Sequence, residues 1–297
     1  MEDKSSRPSE TRPSLPLELR AATREEHHAL NTQIVARLSL CLSPHVDSPL
    51  VYAKGMASFG QIYFAFEEFL ATCRVGDRLE PRLQEIYDRL YLPQLMRTSR
   101  LREDLESIKT RLGESAAREI TMLEDDFKVY HSRIHEILSA KPHVLLSYTW
   151  AMYLALFNGG RWIRKQLVSQ GSDFWRGEPL PLSFWEFGDS GDSDPEGEHL
   201  KALFQERFLA AASLLRDEEK DYVIRETPRL FELCSEIVRD LHQRLAAITS
   251  STTPISPSKS TDSQVSDSTG AVGSATPLAT AWQYLASSYA SLRTTTK

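Results

Sequence analysis

Apolar positions recur at three- and four-residue spacing from about Leu15 to Ile248, with few β-branched runs. That period is the signature of amphipathic helices and predicts an all-α fold. The segments it marks are Leu17–Cys41, Leu50–Cys73, Arg78–Leu90, Leu95–Leu112, Ala116–Ser139, Pro142–Gln170, His199–Leu215 and Asp217–Ala247. Pro44, Pro81, Pro93, Gly113 and Pro142 fall where helices would break, since proline lacks the N–H that a helix interior needs.

Four stretches fall outside this pattern. Residues 1–14 are polar, charged and Pro-containing, which predicts a disordered leader and not a targeting signal. Residues 171–198, with five Gly and three Pro, read as a connector carrying one apolar run, Leu182–Phe187. Residues 249–276 are Ser/Thr/Pro/Gly-rich and predict a disordered linker, because so little apolar surface does not offset ordering entropy. In the tail, 277–297, Trp282, Leu285, Tyr289 and Leu292 have weak helical spacing, which leaves a short docking helix and a disordered amphipathic segment both open. The expected organisation is one helical domain, 15–248, between these tails.

Within that domain, Tyr148–Val168 is an apolar helical run interrupted by Gly159-Gly160. Each glycine costs roughly 1 kcal/mol relative to alanine in a helix, so the pair marks a bend or a place where something flat presses on the backbone. No Asp, Glu or His occurs from Val144 to Val168.

Composition removes several function classes. A formal charge of -6 with a pI near 5.8 does not suit a nucleic-acid binder, which needs a clustered excess of Lys and Arg. Cys41, Cys73 and Cys234 are widely spaced without a CxxC, which points to reduced thiols and a cytoplasmic setting. The apolar stretch Leu278–Leu292 is too short and too interrupted for a transmembrane anchor. Gly-rich phosphate loops, GxSxG elbows and Cys/His zinc patterns are absent.

On the first predicted helix, His27 lies within roughly 20° of Ile34 on the apolar stripe, while His28 shares its face with Arg24, Asn31 and Val35. An inward histidine is by itself more often a core residue than a ligand. Here Arg20 lies two turns back on the same face and Arg24 one turn back at its edge. Neutral imidazole is a common iron ligand and guanidinium suits carboxylates, so the group fits a metal-centred ligand with peripheral carboxylates. Pairing of both arginines with Glu25, Glu26 or solvent is the alternative.

These residues resemble the heme oxygenase family. Leu19–His27 is similar to the family's proximal-helix pattern, whose final histidine is the axial heme ligand. Met56-Ala57-Ser58 leading to Ile62–Glu68, Tyr91-Leu92-Pro93, Tyr153-Leu154 with Gly159-Gly160, the aromatic run Leu182–Phe187, and Lys201 follow in order over roughly residues 15–245. The resemblance implies a heme oxygenase-like multi-helical bundle with a kinked distal helix. It implies heme as cofactor and oxidative cleavage to biliverdin, carbon monoxide and ferrous iron, with electrons from an external reductase. Residue by residue it implies His27 as proximal ligand and metal ligand, Arg20, Arg24 and Lys201 near the propionates, Gly159 and Gly160 against the distal heme face, and Trp150 where the family has a heme-contacting tyrosine.

Two positions depart from the family pattern. Gln205 falls on a propionate arginine. More consequentially, Leu156 occupies the position of the distal aspartate, whose carboxylate orders the water that delivers protons; Ala155 replaces a glycine beside it. Asn158 or Tyr153 could order a water in its stead, and Asn158 could equally cap exposed backbone at the bend. A noncatalytic heme-binding or scaffold protein is therefore the alternative to an enzyme. A third reading, a non-heme di-iron oxidase, draws on the Glu25/His28 E-x-x-H spacing but lacks carboxylates on the Val144–Val168 helix. His131 and His135 have i, i+4 spacing without the HExxH glutamate and read as a solvated face.

Overall fold

Several of the long periodic segments are cut at single residues. The structure, a computed structural model, describes residues 12–75, 79–178, 180, 182–187 and 197–251. The first predicted helix is two, α1 (Leu15–Ala22) and α2 (Arg24–Leu40). Between them Thr23 turns to φ -118°, ψ 11°, and its buried hydroxyl donates to the Leu19 carbonyl at 2.8 Å. That bond serves a backbone acceptor at the end of α1, as helix termini require. Gly60 divides α3 (Leu50–Phe59) from α4 (Gln61–Val75), and buried Phe127 divides α7 (Glu114–Asp126) from α8 (Lys128–Ala140), both with near-helical dihedrals. Periodicity continues across such breaks because the apolar face is the same on both sides.

Between these pairs lie α5 (Pro81–Leu90) and α6 (Thr98–Leu112). α6 starts later than its apolar pattern does, because Pro93–Leu95 forms a 3₁₀ turn. The start of α6 is capped from α4: the Glu67 carboxylate accepts from the backbone N–H of Arg97 and Thr98 and from the Thr98 hydroxyl, at 2.6–2.9 Å. A carboxylate there satisfies orphan N–H groups and complements the helix dipole.

α9 (Leu145–Ala155) is buried at every residue from Leu145 to Tyr153 and forms the centre of the bundle. It passes through a π-helical turn, Leu156–Gly160, into α10 (Arg161–Val168). After the short α11 (Ser172–Trp175), the apolar run of the connector forms a 3₁₀ turn, Ser183–Trp185. α12 (Glu198–Ala212) and α13 (Asp217–Ser251) complete the chain, α13 running past the expected boundary at 248. The leader to residue 11, most of the 249–276 linker and the 277–297 tail lie outside the described residues.

Among the described residues there are helices and no strands, in agreement with the all-α expectation. α4 packs on α8, α3 on α7 and α12 on α5, while α13 touches α1, α2, α3 and α9. At 35 residues, α13 is about 52 Å long and spans the bundle. Ser147 of α9 donates to the Val223 carbonyl of α13 at 2.9 Å, and further along the same helix Phe231 packs on His27 of α2.

Candidate functional site

The turn at Thr23 places His27 in the first turn of α2, where its N–H donates to the Thr23 carbonyl at 2.9 Å. Its half-buried ring meets Phe231 edge-on, with centroids 5.8 Å apart, whereas His28 is exposed. Burial lowers the imidazole's proton affinity from the ordinary histidine value, and the charge of His28 adds to that. The position near a helix N-terminus works in the same direction. A neutral imidazole is the form that ligates a metal.

Cationic groups from three helices, far apart in sequence, act on one another. The half-buried Lys201 ammonium of α12 is depressed by burial first; Glu198 opposes this, and the charges of Arg161 and Arg20 reinforce it. Arg161 of α10 donates to Glu198. Thus α1 and α10 bring Arg20 and Arg161 within electrostatic reach of Lys201 on α12, and the Glu198 carboxylate, paired with Arg161, acts on the same lysine. Cations gathered against their mutual repulsion make a receptor for a ligand with carboxylates.

The two glycines of the π turn have different surroundings. A Cβ built on Gly159 meets nothing within 4 Å, while one on Gly160 would lie 3.2 Å from the Trp185 ring. Gly159 therefore presents bare backbone to open space, and Gly160 lets an indole close on the turn from behind. Isolated π turns in helices occur frequently at functional sites. Next to them Leu156 is buried at 2% exposure, and Phe157 stacks on Phe187 with centroids 4.4 Å apart. The wall is apolar at the position where the resemblance has a carboxylate.

Behind α9 lies a buried polar cluster. Tyr153 donates to Glu67 at 3.2 Å, and Tyr63 donates to the Met152 carbonyl at 3.0 Å. Burial raises the Glu67 carboxyl, opposed by the bonds from Thr98, Arg97 and Tyr153. Arg97 is fully buried, its guanidinium 5.1 Å from the Phe187 ring, and desolvation brings it down to about 10. Glu67 is already engaged by four donors, so it serves Arg97 through charge and not through a side-chain hydrogen bond.

Of the other residues singled out in the sequence, Trp150 is buried in α9, Arg24 is exposed on α2, and Gln205 lies one turn beyond Lys201 on α12. Glu25 and His28 are both exposed, and among the described residues no three His, Cys, Asp or Glu side chains are grouped to hold a metal ion. His131 meets Glu68 at 3.1 Å, whereas His135 packs on Phe69. Sequence reasoning missed Arg161 and Asp104, and it marked Trp185 only as part of the run Leu182–Phe187. Arg161 directly follows the glycine pair, and that adjacency was the available signal. The partnership of Asp104 with a turn 79 residues away leaves no local signature.

Comparison with known proteins bears on this arrangement. The profile of the heme oxygenase family matches residues 14–240. A heme oxygenase of Rhodella violacea is 26% identical over 241 residues, covering 79% of this chain and 90% of the relative. The heme-binding protein HMX1 of Saccharomyces cerevisiae is 24% identical over 235 residues, covering 74% and 72%. Among solved structures, heme oxygenase-2 of Synechocystis in complex with heme and NO superposes with a TM-score of 0.58 at 19% identity, covering 80% of this chain and 88% of that one. Heme oxygenase 2 of Chlamydomonas reinhardtii without heme gives 0.59 at 19% identity, covering 76% and 97%.

Proposed function

The chain belongs to the heme oxygenase family, and on that premise we propose that it binds one heme, whose iron His27 would hold. The observation that carries this reading is the bare backbone at Gly159, with nothing within 4 Å of where a side chain would begin. The donor set fits the group: an imidazole held toward its neutral form, an apolar glycine wall, and a cationic trio for two propionates. Heme supplies redox-active iron and the macrocycle on which oxidative chemistry takes place.

The chain's own residues supply the rest. Thr23 and Phe231 fix the backbone and ring of His27. Arg20, Arg161 and Lys201 orient the carboxylates, and Gly159 admits a planar ligand close to the backbone. Arg24 and Trp150 are assigned to the cleft by family resemblance alone. Free thiols at Cys41, Cys73 and Cys234 support a cytoplasmic setting. Among the described residues no helix is long and apolar enough to cross a membrane.

A second reading adds turnover: oxidative cleavage to biliverdin, carbon monoxide and ferrous iron, fed by an external reductase. Family membership favours it; buried Leu156 favours binding without cleavage, since a leucine neither holds nor orders a proton donor. Titration with hemin decides the binding reading: a sharp Soret band weakened by His27→Ala is the expected result, and no band in the wild type overturns it. Adding ascorbate or a reductase under oxygen then separates the two, biliverdin and carbon monoxide supporting cleavage. Leu156→Asp should raise that turnover, and an unchanged rate would count against placing this residue at the distal face.

A further inference from the structure

The Gly160 contact leads to a set of residues with no part in binding as described so far. Trp185 lies against Gly160, and its Nε1 donates to the Tyr52 hydroxyl at 2.9 Å. The turn that carries Trp185 is stapled to α6. Asp104, 5% exposed, accepts from the Ser183 N–H at 3.0 Å, the Ser183 hydroxyl at 2.8 Å and the Phe184 N–H at 2.9 Å. Arg100 of the same helix donates to the Glu186 carbonyl at 3.0 Å, and the Glu186 carboxylate pairs with Arg164 of α10 at 2.6 Å. Phe187, the last residue of the run, stacks on Phe157. The turn therefore touches the π turn at both Phe157 and Gly160 and is bonded to the helix that leaves it.

A π turn has one residue more than the α-helical ladder accommodates, so it persists only where surrounding contacts hold it. We propose that Trp185, locked by Tyr52 and by the Asp104 staple, is a positioning residue that holds the Leu156–Gly160 π turn and thereby sets how far Gly159 projects toward the ligand. This rests on the heme-binding reading above. Trp185 acts through Gly160, since the indole lies against that residue while a Cβ on Gly159 would meet nothing within 4 Å. The side chain at 185 is thus matched to the absence of one at 160: a methyl on Gly160 would meet the Cε3 and Cζ3 atoms of the indole at 3.2 and 3.3 Å.

The test is a pairwise one on the full chain, Gly160→Ala, Trp185→Phe and both together. Phenylalanine keeps an aromatic face but ends short of the indole's outer ring. In ligand-free protein, amide hydrogen exchange of residues 156–161 should accelerate about tenfold in Gly160→Ala and recover in the double variant, because contacting residues couple. Hemin affinity should follow, falling about tenfold in Gly160→Ala with a displaced Soret maximum and returning to within about threefold in the double variant. Strictly additive effects in exchange overturn the proposal, as does recovery of exchange without recovery of hemin affinity. Were the wild type to take up no hemin, the heme reading would fall, while coupled exchange would still show Trp185 holding the turn.

Discussion

At position 159 an added methyl group meets open space, and at position 160 it meets an indole; two neighbouring glycines thus make opposite predictions. Gly159→Ala should leave the ligand-free fold as stable or up to about 1 kcal/mol more stable, by helix propensity and by restricting the unfolded chain. The same methyl would stand where heme approaches, so hemin affinity should drop about tenfold, read by titration at the Soret band. Unchanged affinity would place the ligand elsewhere. His27 makes a pH prediction. Burial, with His28 adding, holds its folded pKa below the unfolded value of about 6.5. Its stabilising contribution is therefore complete above about pH 6.5 and is lost as pH falls through the folded pKa, where the unfolded chain binds the proton more readily. Denaturant unfolding of wild type and His27→Gln between about pH 7.5 and about pH 5 should show the steeper loss in the wild type. Half-buried His143 shifts in the same direction and is common to both proteins.

Elements were legible in the sequence where the apolar period is long and illegible where a break keeps that period. The fold class and the apolar character of α9 follow from spacing alone. The split at Thr23 does not, because Leu19 and His27 keep to one face across it; yet that split is what puts the histidine in a first turn. The apolar run Leu182–Phe187 was visible, but its task was not, since its partners Asp104, Tyr52 and Gly160 come from three distant segments. The staple predicts its own cost. Asp104→Asn replaces one carboxylate oxygen with a donor facing N–H or O–H groups, and the loss of these bonds should destabilise the fold by about 1–3 kcal/mol. Chemical denaturation measures this, and a change below about 0.5 kcal/mol would mean that the turn is held by its aromatic packing alone.

For the whole molecule, a ligand that bridges α1, α2, α10 and α12 ties together elements from both ends of the sequence. Hemin at about 100 times its Kd should stabilise the native state by about 2.7 kcal/mol, which is roughly 5–10 °C in thermal unfolding for a domain of this size. A single shifted transition is expected, and a shift confined to part of the signal would mean that the walls unfold separately. α2 and α9 also share α13 as a neighbour. Ser147 of α9 is bonded to Val223, His27 of α2 rests on Phe231, and Pro228 lies between the two anchor points. A proline there removes one rung of the helical ladder. One long helix is thus the common mount of the histidine helix on one side and of the helix that leads into the glycine turn on the other, although it contributes neither the histidine nor the glycines.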